Sequence, residues 1–291
     1  MATIINGKVV SQKIKDALKT RVAEVTPKPG LAVVLVGNNP GSQVYVGNKE
    51  KACQEISFYS QKVVLPETVS EEALLSTVRR LNGDPSIHGI LVQFPLPERL
   101  KHMEEIIIRE INPEKDVDGF HPINVGKLVT CKGTVCGDLF LPCTPAGIVR
   151  LLDEYHIPIA GQHAVILGRS NLVGKPVGML LLARDATVTF CHSKTKNIKE
   201  ITKQADILIA AIGKENFVDA SFIKKDVVII DVGINRTAHG LIGDVDFQSV
   251  EPLASAITPV PGGVGPMTIA MLMENLWKAY NYQTRREDTK V

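Results

Sequence analysis

The chain has 291 residues, 44% hydrophobic and 22% charged, which describes an ordinary globular protein long enough for about two domains with separate cores. Its 33 basic and 31 acidic side chains leave a formal net charge of only +2, excluding a global electrostatic attraction to nucleic acid or to an anionic membrane. The opening MATIINGKVV carries neither a long apolar segment nor an Arg-rich, acid-poor leader, so a cytoplasmic location without membrane or nucleic-acid partners is expected.

Over the first 125 residues, strand-like runs alternate with helical patterns: a strand over 31–36, a helix over 42–56, a strand over 62–65, a helix over 70–81 and a strand over 87–93. That order is the signature of a parallel α/β sheet. Asn38-Asn39-Pro40-Gly41 reads as a turn from which Ser42 caps the first of these helices. Tyr45 and Lys49 stand four residues apart on that helix and so share one face, near its N-terminal end. A cation there is opposed by the helix dipole, so Lys49 is either a solvated side chain or one retained for a task. Ser70 precedes Glu71 and Glu72 as the N-cap of the second helix, and Asn82-Gly83-Asp84-Pro85 stops it. Gln93 closes the apolar strand Gly89-Ile90-Leu91-Val92 and leads into the stiff turn Phe94-Pro95-Leu96-Pro97. Strand C-terminal ends are where open α/β sheets present ligand-binding groups. Asp116 and Asp118, in KDVDGF, follow Asn112-Pro113; their competing reading is a simple Asx-turn at Gly119.

After a Gly- and Cys-containing connection over 126–142, Thr144-Pro145 reads as an N-cap followed by an N1 proline, opening a helix to about Tyr155. A second α/β unit follows, with strands over 164–167, 187–191, 207–211 and 227–232 and helices after the first three. The run Val227-Val228-Ile229-Ile230 suits a sheet covered on both faces. A final helical pattern over 268–280 has apolar spacing at Ile269, Leu272, Met273, Leu276 and Trp277, with a polar tail from Gln283 expected to fray. Cys53, Cys131, Cys136, Cys143 and Cys191 form an odd, scattered set, expected to be reduced. No C-x-x-C pair or H-x-x-x-H completes a tetrahedral site near the middle three, so no metal is expected.

The run GRSNLVGKP, Gly168 to Pro176, lies between an apolar strand and a helix, where backbone amides are brought up to a phosphate. Its glycines, Gly168, Gly174 and Gly178, are spaced more widely than G-x-G-x-x-G, and Ser170 stands where the second glycine belongs; a plain tight turn is the competing reading. The end of the second strand of such a unit selects between nicotinamide cofactors, because a carboxylate there accepts the ribose 2′-OH and repels a 2′-phosphate. This chain has Cys191-His192-Ser193-Lys194-Thr195 instead. A hydroxyl, a basic neighbour and no carboxylate favour NADP, with Arg169 able to grip the phosphate, unless Arg169 and Lys194 are merely solvated charges. Pro259-Val260-Pro261-Gly262-Gly263-Val264-Gly265-Pro266 lacks the G-K-[ST] of a P-loop; its rigidity suits either close approach to a flat ligand or a hinge.

Taken together and in this order, Y-x-x-x-K, V-Q-F-P-L-P, P-E-K-D-V-D-G-F, G-R-S-N-L-V-G-K-P and P-V-P-G-G-V-G-P-M-T closely resemble the bifunctional methylenetetrahydrofolate dehydrogenase/cyclohydrolase family, from about Ile5 to Trp277. The resemblance implies two α/β domains with a cleft between them. Residues 1–143 plus 268–291 would form a folate-binding catalytic domain, and 144–267 a Rossmann-like NADP-binding domain with a parallel sheet. It implies oxidation of 5,10-methylenetetrahydrofolate by NADP to the methenyl form, then hydrolysis to 10-formyltetrahydrofolate, in a homodimer. Lys49 would be the key catalytic group, Gln93 its hydrogen-bonding partner, Tyr45 a positioner of folate and Asp118 the holder of the pterin. Gly168, Arg169, Ser170, Ser193 and Ile234 would contact the cofactor, and Pro261, Gly262 and Gly263 would border the substrate. The rival readings are a monofunctional NAD-linked dehydrogenase of the same fold, which should carry an acidic residue in place of Ser193, and a non-catalytic folate- or nucleotide-binding module.

Overall fold

The computed structural model describes residues 2–133, 139–238 and 240–288, excluding the side chains of 286–288. The chain forms two compact units: Met1–Gln12, Leu128–Gly137 and Thr144–Thr268 make one, and Lys13–Lys127, Asp138–Cys143 and Ile269–Val291 the other. Its first elements are a short strand β1 (Thr3–Ile4) and a helix α1 (Gly7–Ala23).

The second of these units is built on a three-stranded parallel sheet of β2 (Gly30–Val36), β3 (Tyr59–Leu65) and β4 (Gly89–Val92), in the order β3-β2-β4. All residues of the central strand β2 are buried, as its unbroken apolar run requires of a strand covered on both faces. Its helices are α2 (Pro40–Ile56), α3 (Glu71–Gly83), α4 (Glu104–Glu110) and α5 (Pro122–Thr130), with a 3₁₀ segment at Glu98–Met103. Val34, Leu74, Val78, Leu81, Ile90, Leu100 and Ile107 close one core between sheet and helices. Ser70 caps α3 through a bond from the Ala73 amide, as expected. The cap of α2 is Asn39 rather than Ser42: Asn39 Oδ1 accepts the Ser42 amide at 3.0 Å, and Pro40 fills the first turn, where its missing N–H costs nothing.

The other unit carries a six-stranded all-parallel sheet. It contains β1, β5 (His163–Leu167), β6 (Thr187–Cys191), β7 (Ile207–Ala210), β8 (Val228–Asp231) and, numbered later in the chain, β11 (Ala256–Ile257), ordered β1-β11-β8-β7-β5-β6. Thus β1 joins this sheet, whereas the expected division placed residues 1–143 together. The chain leaves β5 for β6 on one side and reaches β7 on the other, so the end of β5 is a topological switch point, the place where open α/β sheets bind ligands. Helix α6 (Cys143–Glu154) begins one residue before Thr144, whose hydroxyl bonds the Thr268 hydroxyl at 2.8 Å instead of standing outside the helix as its cap. Helices α7 (Gly174–Leu182) and α8 (Ile198–Thr202) follow β5 and β6. After β7 only a 3₁₀ turn at Ala220–Phe222 forms where a helix was expected, followed later by β9 (Asn235–Thr237) and β10 (Gly240–Ile242) as a hairpin and by α9 (Phe247–Val250).

The last helix, α10 (Val264–Asp288), is longer than its apolar stripe suggests. Instead of fraying, Gln283 donates its amide to the carbonyls of His88 at 2.9 Å and Glu114 at 3.1 Å. Cys53, Cys143 and Cys191 are free and buried, whereas Cys131 is disulfide-bonded, against the expectation of reduced thiols throughout. Cys136 lies outside the described residues. Among the described residues no helix is long and apolar enough to cross a membrane.

Candidate active site

In the three-stranded unit, α2 and the end of β4 bring together two of the expected residues. Lys49 Nζ donates to Gln93 Oε1 at 2.9 Å. Gln93 is held at both ends: its backbone amide bonds the Val34 carbonyl at 2.9 Å, continuing the β2–β4 ladder, and its side-chain Nε2 donates to the Phe94 carbonyl at 2.7 Å. Because Nε2 is committed to a carbonyl, the oxygen of the amide must face Lys49. Burial lowers the Lys49 ammonium from its ordinary range, opposed by the negative field of Asp118. Tyr45, one helical turn earlier on α2, is 39% exposed, an aromatic ring available to a ligand.

The two aspartates of KDVDGF have separate tasks. Asp116 is buried and makes the turn: its carboxylate accepts the amides of Gly119, Phe120 and His121 and the side-chain amide of Asn124. The Asx reading is therefore right for Asp116 and wrong for Asp118. Desolvation pushes the Asp118 carboxyl up to about 6, with Lys49 pulling it back and Asp116 adding to the rise. The Cys143 thiol lies 3.9 Å from Asp118 Oδ1 and 3.3 Å from the Val117 carbonyl, and burial keeps it protonated, its pKa well above the ordinary thiol value.

Asn275 on α10 was not singled out from the sequence. It is 2% exposed and donates to the carbonyls of Val117 and Leu141, both at 2.9 Å, and toward Cys143 Sγ. Asn275 thereby anchors the strand of backbone that carries Asp118. The available signal was an amide interrupting the apolar run MLMENLW, one residue before Leu276 of the helix's apolar stripe.

In the six-stranded unit, the loop after β5 shows why its glycines are spaced as they are. Gly168 has φ +119°, and a Cβ there would lie 2.2 Å from the Ala211 carbonyl oxygen. A Cβ on Gly174 would meet the Gly168 carbonyl oxygen at 2.5 Å, and one on Gly178 the Phe190 ring at 2.2 Å. The loop thus folds onto itself and α7 closes on the sheet, with roles spread over a wider interval than in G-x-G-x-x-G. Ser170 Oγ accepts the amides of Val173 at 3.1 Å and Gly174 at 3.3 Å, shaping the turn and leaving its O–H as a donor. The amides of residues 169–172, in the loop that leads into α7, bond no group among the described residues and are left as donors of the kind a phosphate takes up.

Beyond β6, the turn 192–195 closes through His192 N–H to Thr195 Oγ1 at 2.9 Å and Thr195 N–H to the His192 carbonyl at 2.8 Å. Ser193 and Lys194 stand exposed at its tip, as does Arg169 in the preceding loop, and the turn contains no carboxylate. These residues fit a 2′-phosphorylated dinucleotide. Ile234, between β8 and β9, is 43% exposed. Gly262, with φ +114°, accepts the Lys8 amide at 3.1 Å, and Gly263 donates to the Pro259 carbonyl at 2.8 Å. The loop is thereby folded against the start of α1, where Gly7 has no room for a Cβ beside the Gly263 carbonyl. Pro261 lies in the same loop.

Residues 5–118 match the model of the tetrahydrofolate dehydrogenase/cyclohydrolase catalytic domain, and 142–284 match that of the NAD(P)-binding domain of the same enzymes. A relative called bifunctional protein FolD, from Halalkalibacterium halodurans, is 55% identical over 281 residues, covering 96% of this chain and 98% of its own length. Among solved structures, the bifunctional FolD methylenetetrahydrofolate dehydrogenase/cyclohydrolase of Campylobacter jejuni superposes with a TM-score of 0.91 at 47% identity, covering 97% of this chain and 100% of that one. The Trypanosoma brucei methylenetetrahydrofolate dehydrogenase-cyclohydrolase, solved with NADP and an inhibitor, gives 0.90 at 36% identity, covering 98% and 99%. With both domain models matched in order and the likeness running nearly end to end, the chain belongs to the tetrahydrofolate dehydrogenase/cyclohydrolase family.

Proposed function

We infer that this chain oxidises 5,10-methylenetetrahydrofolate to the 5,10-methenyl form with NADP, and hydrolyses that product to 10-formyltetrahydrofolate. The observation that carries the assignment of residues is the desolvated Lys49 bonded to Gln93 and under the field of Asp118. Bound NADP+ supplies the two-electron acceptor for the first step. That step asks the protein mainly for alignment, since the cation left on the folate is shared by its two nitrogens and needs no acid or base. Tyr45 offers a ring face for the folate, and Asp118 accepts N–H bonds from the pterin.

Hydrolysis does need proton handling. An ordinary lysine, with a pKa of about 10.4, is a poor base at neutral pH, and burial brings Lys49 toward a usable range. As water adds to the methenyl carbon, neutral Lys49 takes its proton, and Gln93 holds the amine by accepting one of its N–H bonds. The resulting ammonium returns a proton to N5 as the carbon–N5 bond breaks, while the hydroxyl on the same carbon loses its proton to solvent and becomes the carbonyl, so the formyl group stays on N10 and one proton is released overall. Loops 168–176 and 192–195 hold the dinucleotide, with Arg169 and Ser193 at its 2′-phosphate and Ile234 on its nicotinamide side. Pro261, Gly262 and Gly263 border the folate. The same absence of a carboxylate beyond β6 favours NADP over the NAD-linked alternative.

The decisive assay mixes purified protein with methylenetetrahydrofolate and either cofactor and follows methenyl absorbance as it rises and decays. Turnover with NADP followed by decay is expected; turnover with NAD alone, or binding of both ligands without turnover, would establish one of the two rival readings. A homodimer belongs to the same proposal. It is supported by β3, an edge strand that exposes Tyr59 at 47% and Val64 at 54%. Sedimentation should show a dimer that Val64→Glu weakens; a monomer at micromolar concentration would contradict it.

A further inference from the structure

Two buried carboxylates in the six-stranded unit take no part in the chemistry above. Asp231 ends β8 at 4% exposure, and Asp244, just past the β9–β10 hairpin, is fully buried. Asp244 Oδ2 accepts the amides of Ile212 at 2.7 Å and Gly213 at 3.0 Å, while its Oδ1 accepts the amide of Lys214 at 2.8 Å and the side-chain amide of Asn235 at 3.1 Å. Asp231 Oδ1 accepts the amides of Gly233 and Asp244, both at 2.9 Å, and its Oδ2 that of Val245 at 3.0 Å. Every one of these donors is an amide; no lysine, arginine or histidine side chain is among them. Carboxylates kept out of water without a cation need such a full complement of donors to persist.

The packing leaves no slack. A Cβ on Gly233 would lie 2.2 Å from Asp244 Oδ1, and one on Gly243 1.8 Å from Asp231 Oδ2. The two carboxylates therefore tie the segment after β7, the segment after β8 and the end of the hairpin into one rigid node. Both segments leave the C-terminal ends of parallel strands, the ligand-binding edge of such a sheet. Ile234 sits between Gly233 and Asn235, which are both bonded to the node, yet its own side chain is 43% exposed. An apolar side chain is thus held out to solvent by clamps on both neighbours.

Strand order says which part of a dinucleotide would meet it. With phosphates at the loop after β5 and the adenosine ribose at the end of β6, the other half must lie on the opposite side of β5, over β7 and β8. We propose that Asp231 and Asp244 are positioning residues for the nicotinamide half of the cofactor, pre-ordering 212–214 and 233–235 so that Ile234 presents a fixed apolar surface to the ring. The proposal rests on the NADP reading above. Pre-ordering lowers the entropy lost when ligand binds, so its loss appears first as weaker binding.

The test uses the full chain carrying Asp244→Asn, which turns an acceptor-only group into one whose NH2 faces backbone donors. NADP and 2′,5′-ADP, which lacks the nicotinamide half, are titrated calorimetrically; methenyl hydrolysis without NADP and the melting temperature are measured alongside. NADP should bind about tenfold more weakly, with 2′,5′-ADP binding and methenyl hydrolysis unchanged. Unchanged NADP affinity, or an equal loss for 2′,5′-ADP, would overturn the proposal. Should Asp244→Asn fail to fold, Asn235→Ala, which removes the bonds to Asp244 Oδ1 and to the Gly243 carbonyl, must show the same split between the two nucleotides or the proposal fails. If the unaltered chain does not bind NADP, the cofactor reading falls first and the node proposal with it.

Discussion

Lys49 and Gln93, 44 positions apart in the chain, meet through a 2.9 Å bond whose acceptor is oriented by the Phe94 carbonyl on the far side of the same amide. A neutral acceptor stabilises the lysine without holding it as an ammonium, which a carboxylate in the same place would do. Gln93→Glu should therefore raise the Lys49 pKa, depress methenyl hydrolysis at pH 7 and make the remaining rate climb with pH. A pH–rate profile for hydrolysis checks this; a profile identical to that of the unaltered enzyme would separate Gln93 from proton handling.

Lys49→Met keeps the length and apolar stem of the side chain and removes the amine. Hydrolysis of methenyltetrahydrofolate should fall by at least about 10²-fold, the scale of a lost general base. NADP titration of the same variant should be unaltered, because none of the dinucleotide loops includes residue 49.

Asp118 couples stability to function. Its carboxyl, pushed up to about 6 by burial, lies above the value of about 3.9 expected in the unfolded chain, so the ionised form opposes folding. That penalty is absent below the unfolded pKa and complete above the folded one. Asp118→Asn should therefore raise stability at pH 7.5 by on the order of 1–3 kcal/mol, a gain that shrinks toward pH 4. Folate binding should weaken in the same variant. In the unaltered enzyme the folate KM should rise as pH falls through about 6, as the carboxylate that accepts the pterin N–H groups is protonated. Parallel melts and KM measurements across pH 4–8 test both halves.

Asn275→Leu removes the donors to Val117 and Leu141 while preserving bulk. The Leu141 carbonyl loses its donor and the Val117 carbonyl keeps only the weak Cys143 thiol, which should cost about 1–3 kcal/mol, seen in the urea midpoint. Because Val117 adjoins Asp118, the folate KM should rise as well, with NADP affinity unchanged; Asn275→Leu with normal folate KM would confine Asn275 to stability alone.

Arg169→Ala should weaken NADP by about tenfold, the loss of a charge-assisted contact to the 2′-phosphate, and leave NAD nearly unaffected. Gly168→Ala gives the contrasting pattern: with φ +119° and the Ala211 carbonyl oxygen 2.2 Å from the new Cβ, it should damage the loop and lower binding of both cofactors together. Competition titrations with the two nucleotides separate the cases.

Periodicity and turn chemistry determined most of the architecture from the sequence alone. The alternation of strands and helices, the buried β2 and β8, the Ser70 cap and the glycine-bearing loop after β5 are all local features, encoded within a few residues of where they act. Misreadings of local structure were also local: Asn39 displaced Ser42 as cap because its side chain reaches the third amide along, across a proline that has no N–H to satisfy. The resemblance of the motifs named Tyr45, Lys49, Gln93 and Asp118, but sequence could not divide the work of Asp116 and Asp118, since both are carboxylates in the same turn. Only the packed chain did so, by surrounding Asp116 with amides and leaving Asp118 desolvated near Lys49. Asn275 reaches Val117 across 158 positions, and Asp244 reaches Ile212 across 32. No pattern of neighbouring residues records such pairs: whether a buried polar group anchors a loop or merely satisfies itself depends on which distant backbone the fold brings within 3 Å of it.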